Sequence, residues 1–318
     1  MSPYRHRLPQ LSGPLFVTDG GLETTLIYHE HIELAHFAAF DLLRTAPGTA
    51  TLRRYYERYA QLARAHGRGL VLEAPTWRAN PDWAAKLGYD APALADANRA
   101  AIGLMLGIRA AYETPESRMV ISGNLGPRGD GYRDDLRMSA DEARAYHQTQ
   151  IDTFAGTDAD MVADFTMNYV EEAIGIGLAA RAAAMPVVLS FTLETDGRLP
   201  SGMPLGDAIA RTDDATGGAA LYYMINCAHP VHFEAVLADG AAAQSWCARI
   251  RGLRVNASKR SHAELDASTD LDAGDPAELA AGHRRLRALL PGLAVVGGCC
   301  GTDHRHVDAI CAALSDAS

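Results

Sequence analysis

The sequence predicts an α/β protein, a single-domain (β/α)8 (TIM) barrel over residues 1–318 with a short polar leader at about residues 1–12. Three observations predict it. Eight short apolar runs alternate with helical segments, the pattern of parallel βα units. A count of eight points to closure into a barrel rather than an open sheet. No composition break divides the chain, and 318 residues suit one large α/β domain. A doubly wound sheet is the runner-up, but the glycine-rich turn after the first run lacks G-x-G-x-x-G.

The elements follow in order. Leu15-Phe-Val-Thr-Asp-Gly-Gly21 is a short apolar run closed by an acid and two glycines. A helix opened by Pro47 spans about Ala46 to Ala65, and Gly69-Leu-Val-Leu-Glu-Ala-Pro-Thr76 is the second strand. The alanine- and leucine-rich stretch Ala91 to Tyr112 reads as helix, and Met119-Val-Ile-Ser-Gly-Asn-Leu-Gly126 as the third strand. Ser139 caps a helix running through Phe154, with Glu142 at capping-box spacing. Asp160-Met-Val-Ala-Asp-Phe-Thr166 is the fourth strand and Glu171 to Ala184 the next helix. Pro186 to Leu193 is the fifth strand; the loop Glu194 to Pro204 then leads to a short helix near Leu205 to Arg211. Leu221-Tyr-Tyr-Met-Ile-Asn-Cys227 is the sixth strand, Val231 to Asp239 a helix, and Gly252 to Ser258 the seventh strand. The acidic stretch Lys259 to Asp275 shows no periodicity, and Pro276 opens a helix to about Leu290. Leu293-Ala-Val-Val-Gly-Gly-Cys-Cys-Gly301 is the eighth strand, followed by a helix from Asp303 to Leu314.

Composition narrows the function. Hydrophobic content of 48% and charged content of 21% fit a globular protein with a sizeable core. A formal charge of −10 argues against a nucleic-acid partner, which would call for clustered Lys and Arg. No apolar run is long enough for a membrane span, and the N-terminal residues do not read as a secretory signal. Five cysteines, an odd and sparse number, argue against a disulfide framework and for a reducing compartment, so the expected location is cytoplasmic.

Barrel active sites lie at the C-terminal strand ends. There this sequence places Asp19, Thr76, Asn124, Asp164, Thr166, Asn226, Cys227, Asn256, Cys299 and Cys300. Cys227, Cys299 and Cys300 bring three thiols from two strand ends, which suits a metal with sulfur ligands and one open coordination position. From spacing alone, buried or redox thiols are the equal alternative. Strands six and eight lie about 10 Å apart around the sheet, a gap that inward-leaning side chains can close. Cys247 and Cys311 fall in helical segments and read as small core residues.

With Asp19-Gly-Gly21, Asn226-Cys227 and Gly297-Gly-Cys-Cys300 in this order, the chain resembles the homocysteine S-methyltransferase family of zinc-dependent barrels. Gly123-Asn-Leu-Gly-Pro127, Ser190-Phe-Thr192 and Gly197-Arg-Leu-Pro-Ser-Gly202 add weaker support, and the likeness covers nearly the full length. The resemblance implies Zn2+ on Cys227, Cys299 and Cys300 and methyl transfer to homocysteine, giving methionine, or to a related small thiol. It implies that Asp19, Gly20 and Gly21 hold the acceptor's amino-acid part; the strand-end positions of Thr76, Asn124, Asp164, Thr166 and Asn226 make these the further substrate contacts expected. A sulfonium donor, S-methylmethionine or S-adenosylmethionine, is favoured over folate because one barrel leaves no room for further modules. Trp77, Tyr132 and Tyr169 are the rings available to face its positive charge. The partners expected are thus a small thiol and a methyl donor, with a homo-oligomer left open.

Three departures stand out. Phe165 occupies the place where the family carries a glutamate for the acceptor's amino group, and Asp164, one residue off, points to the other face of the strand. Arg254-Val-Asn-Ala-Ser258 replaces the usual proline-asparagine-x-glycine, and Glu73-Ala-Pro-Thr-Trp77 is a loose match to a threonine-rich pattern. The alternative function is therefore a non-catalytic zinc- or thiol-binding barrel that has lost homocysteine recognition. His29-Glu-His31 and His304-Arg-His306 lack metal-site spacing and read as surface or capping residues; His229 has a better claim to the site.

Overall fold

The computed structural model describes residues 2–133, 135–243 and 245–315. Eight parallel strands close in sequence order into a barrel. They are β1 (Phe16–Val17), β2 (Gly69–Glu73), β3 (Met119–Leu125), β4 (Met161–Asp164), β5 (Val187–Thr192), β6 (Ala220–Asn226), β7 (Ile250–Val255) and β8 (Val295–Gly298). Closure is made by β1, whose Val17 pairs with Leu70 of β2 on one side and Val296 of β8 on the other. Each strand is followed by a barrel helix: α1 (Ala46–Ala65), α2 (Ala91–Tyr112), α3 (Ala140–Ala155), α4 (Val170–Ala182), α5 (Leu205–Thr216), α6 (Pro230–Ala243), α7 (Pro276–Leu289) and α8 (His304–Ala313).

Alternation along the strands sorts the side chains into two cores. Phe16, Val71, Val120, Met161, Val188, Tyr222, Met224 and Val295 point inward and fill the barrel. The residues between them, such as Val17, Leu70, Leu72, Ile121 and Val162, pack outward against the helices. Capping side chains start the helices where the sequence marks them. Thr45, Asp90, Ser139, Asp275 and Asp303 each accept a backbone N–H of the first turn, and Ser139 with Glu142 forms the expected capping box.

Some short elements escape a reading by periodicity. A helix over Pro81–Lys86, capped by Asn80, and another over His262–Asp266, capped by Ser261 and Glu264, are too brief to show a 3.6-residue repeat. The second lies inside the stretch that shows no periodicity. α5 runs past Arg211 to Thr216, where Gly217 in the left-handed conformation ends it. Among the described residues no helix is long and apolar enough to cross a membrane.

The N-terminal leader closes the far end of the barrel. Leu8 and Gln10 are buried, and Arg5 donates to the carbonyls of Ala155, Thr157 and Ala159. Its anchor is Asp160, fully buried, which accepts from Tyr4 N at 3.2 Å, Ile121 N at 2.7 Å, Arg109 Nη1 at 2.6 Å and Ser2 Oγ. Removing this carboxylate leaves a buried guanidinium unpaired. Asp160→Ala is therefore expected to lower the unfolding free energy by about 3–5 kcal/mol, read from the urea midpoint. A loss below about 1 kcal/mol, the worth of a surface ion pair, would contradict this account.

Candidate active site

The C-terminal mouth of the barrel holds a cavity of about 290 Å³ whose lining includes Cys227, Cys299 and Cys300. Cys227 follows β6, and the other two follow β8 after Gly297 and Gly298. A Cβ on Gly297 would strike the Thr18 hydroxyl, and one on Gly298 the Thr302 hydroxyl, so both positions need glycine for β8 to lie this close. Beyond Gly298 the chain leaves the strand and turns at Gly301, where φ is 79°. Freed from strand alternation, adjacent side chains turn to one centre, and the three sulfurs lie within 4.8 Å of one another.

Cys227 and Cys299 are joined as a disulfide, while Cys300 stays a thiol with its Sγ 3.9 Å from that of Cys227. The donor set suits a thiophilic ion: three converging sulfurs, with room in the cavity for a fourth ligand. Metal binding needs all three as thiolates, so a bound ion and the Cys227–Cys299 bond exclude each other. Tyr132 Oη lies 3.3 Å from Cys300 Sγ, and its ring stacks on His262 with centroids 4.1 Å apart. Burial pushes the Cys300 thiol up, and the Tyr132 hydrogen bond pulls it back. Cys247 and Cys311 lie buried outside the cavity, their thiols pushed up by burial to about 11 and about 12.

Two residues at the mouth hold left-handed backbone without being glycine, Thr166 at φ 70° and Cys227 at φ 53°. Such strain costs about 1–3 kcal/mol per residue and needs bracing. Asn226 supplies it for Thr166: its Oδ1 accepts Thr166 N and its Nδ2 donates to Thr166 Oγ1, both at 2.9 Å. For Cys227 the backbone is held at both ends. Its N–H reaches Arg254 O at 3.0 Å, and its carbonyl accepts from Asn256 Nδ2 at 3.0 Å and His262 Nε2 at 2.7 Å.

Charge in the cavity centres on Arg254, from β7. Its Nη2 donates to Asp19 Oδ1 at 2.8 Å and to Gly20 O at 3.2 Å, and its Nε to Gly298 O at 3.1 Å. Tyr55 donates to the other oxygen of Asp19 at 2.9 Å, so both carboxylate oxygens are engaged. The guanidinium lies over the Phe165 ring, 4.8 Å from its centroid. Glu73 and Glu23 also line the cavity; burial pushes each carboxyl up to about 7, with Arg254 pulling the other way.

Of the residues expected at the site, Asp19, Gly20, Gly21, Asn124, Thr166, Cys227, Cys299 and Cys300 meet at the cavity. Thr76, Asp164 and Asn226 do not line it. Thr76 Oγ1 donates to Asn124 O at 2.7 Å, and Asn226 braces Thr166 and Ser190. Asp164 points away into the layer between strand and helix, where its carboxylate accepts Ser190 N and burial raises it well above the usual range. Trp77 and Tyr132 line the cavity, although Arg78 covers one face of Trp77 at 4.1 Å; Tyr169 lies outside, accepting Met138 N. His229 is buried outside the cavity, accepting Val231 N, with burial lowering it to about 4. His306 caps α8 through Asp303 N, and the exposed His29 lies 3.7 Å from Asp303. Glu23, Tyr28, Phe37 and Arg78 line the cavity with no motif to announce them. Arg254 and Glu73 stand in two of the stretches that depart from the family pattern.

Comparison with known proteins agrees with this geometry. The homocysteine S-methyltransferase family model matches residues 16–314. No curated protein matches the chain. Among solved structures, the homocysteine methyltransferase MmuM from Escherichia coli in its metallated form superposes with a TM-score of 0.74 at 20% identity, covering 94% of this chain and 96% of that one. Its oxidised form gives 0.73 at 20% identity, covering 94% of each, and its apo form 0.68 at 19%, covering 95% and 96%. These likenesses carry the barrel fold, and the family match over nearly the whole chain carries membership: the chain belongs to the homocysteine S-methyltransferase family and is a methyltransferase.

Proposed function

We propose that the chain is a zinc-dependent thiol S-methyltransferase that moves a methyl group from a sulfonium donor, S-methylmethionine or S-adenosylmethionine, to homocysteine or a related small thiol. The observation that carries the reading is the convergence of Cys227, Cys299 and Cys300 within 4.8 Å at one cavity. When bound, zinc supplies one thing there: a thiol at its open position is held as thiolate at neutral pH, with no general base needed.

The chain's own residues do the rest. Cys227, Cys299 and Cys300 would hold the ion, and the backbone bonds on Cys227 fix its direction of approach. The acceptor sulfur uses a lone pair to form the new S–CH3 bond while the donor's C–S+ bond breaks, its electrons leaving with a neutral sulfide. Reaction therefore consumes a cation, and the cavity favours one: Asp19, Glu23, Glu73, Asp130, Asp266, Asp270 and Asp272 line it against Arg78 and Arg254. Tyr28, Phe37 and Trp77 add rings to the lining, with Phe37 half-exposed. A reducing compartment keeps the triad able to bind metal.

Two measurements test the reading. Protein purified under reductant is expected to carry about one zinc per chain by elemental mass spectrometry. Cys299→Ser should lose it, as should wild-type protein in which Cys227 and Cys299 have been oxidised. Zinc absent from the reduced native protein after anaerobic reconstitution would sink the mechanism. Second, zinc-loaded enzyme incubated with S-methylmethionine and homocysteine should form methionine in excess of enzyme, and Cys227→Ser should abolish it. Turnover undiminished by Cys227→Ser would remove the metal from the reaction.

A further inference from the structure

One wall of the cavity presents two buried acceptor atoms with free capacity, Glu73 Oε2 and Asn124 Oδ1. Glu73 ends β2, is 3% exposed and lines the cavity, and its Oε2 is buried without a partner. Val71, two residues earlier, packs inside the barrel, so alternation points Glu73 into the mouth. Ser122 faces it in register on β3, and its hydroxyl can turn one hydrogen to the carboxylate, which has up to four acceptor sites. Two residues on, Asn124 lines the cavity with its buried Oδ1 unpartnered.

The neighbours do not relieve this wall. Arg254 uses Nε and Nη2 on Gly298 O, Asp19 and Gly20 O, and makes no hydrogen bond to Glu73. Asp19 itself is taken up by Arg254 and Tyr55. Phe165 offers only its ring. What fits such a wall is a compact cation with several N–H donors, because an ammonium has three and no acceptor of its own.

Reach agrees. Glu73 and Cys299 both line the cavity, at the ends of strands separated only by β1. Two strand spacings of about 4.8 Å, shortened by inward side chains, are a gap that a four-carbon amino-acid thiol can bridge.

We propose that Glu73, with Asn124 beside it, receives the ammonium group of the amino-acid thiol while its sulfur lies at the cysteine cluster. This rests on the acceptor reading above and adds which wall recognises the amino group. Glu73 is then the residue that separates an amino-acid thiol from a plain thiol acid. Ordered water is the competing occupant of the same wall.

The test compares homocysteine with 4-mercaptobutanoate, the same thiol acid without its amino group. Binding to reduced, zinc-loaded protein is measured by calorimetry, beside kcat/KM for methylation by S-methylmethionine. Wild-type protein is expected to bind homocysteine about 10- to 100-fold more tightly, the worth of a charge-assisted hydrogen bond. Glu73→Gln should erase that preference through homocysteine alone, leaving 4-mercaptobutanoate binding and zinc content as they were. A preference undiminished in Glu73→Gln overturns the proposal, as does equal binding of both thiols by the wild type. If Glu73→Gln fails to fold, the wild-type comparison still decides, and Asn124→Ala should cut the preference several-fold. Binding of neither thiol by zinc-loaded wild type would defeat the acceptor reading itself, and this inference with it.

Discussion

The barrel mouth depends on how closely the end of β8 lies against its neighbours. Gly297 and Gly298 leave no side chain between β8 and the hydroxyls of Thr18 and Thr302. The backbone is then locked from both sides, with Gly298 N bonded to Asp19 O at 3.0 Å and Cys299 N to Val255 O at 2.7 Å. Any larger residue would push the strand away and carry both cysteines out of reach of Cys227. The sulfur cluster is thus a consequence of backbone packing before it is a matter of cysteine chemistry.

Arg254 plays the corresponding part for charge. Standing on β7, it reaches across β8 to Gly298 O and on to Asp19 and Gly20 O beyond β1, so it ties three neighbouring segments at the mouth. A buried ion pair is weak support for stability, since desolvation offsets most of the attraction. Its effect here is on what the cavity can bind. With Asp19 neutralised, the amino-acid part of an acceptor cannot rely on that carboxylate alone. The guanidinium also rests on Phe165, which joins two departures from the family pattern in one contact. A glutamate at 165 would face Arg254 directly and be drawn into a second ion pair. An aromatic ring there offers a face to the cation and competes for none of its donors.

The fold was legible because its signal is repetitive. Eight apolar runs and their capping residues mark the barrel, and Ser139 with Glu142 marks a helix start by local chemistry alone. The cysteines were legible as a set because two adjacent thiols after Gly-Gly suit no ordinary core slot. The pocket was harder. Thr76, Asp164 and Asn226 stand at strand ends and are polar, yet sequence does not say on which side a residue points once the strand gives way to loop. Asp164 illustrates the cost of one residue: it sits beside Phe165, which faces the cavity, and is buried behind it. Glu73 and Arg254 are legible in the sequence only as departures from the family pattern, because a lone charged residue at a strand end has no spacing to interpret. Their meaning comes from neighbours that are distant in the chain.

Asn226 shows why a residue outside the cavity can still be part of the site. It lines no part of the cavity itself, but it holds Thr166 in a conformation that β-branched residues avoid and takes a hydrogen bond from Ser190 Oγ at 2.6 Å. The next residue, Cys227, is bent the same way and braced by Asn256 and His262. Hydrogen bonds at the mouth are therefore concentrated on two strained peptides, one lining the pocket and one carrying a sulfur. The Cα atoms of Cys227 and Cys299 lie 5.5 Å apart, and each backbone is also held by bonds that do not involve the sulfurs, Cys227 by Asn256 and His262 and Cys299 by its N–H to Val255 O. Reduction would then free the thiols without scattering them, and a metal, if bound, would meet ligands already gathered. Gathering them from a flexible loop would cost conformational entropy at the moment of binding; here folding has already fixed the backbone.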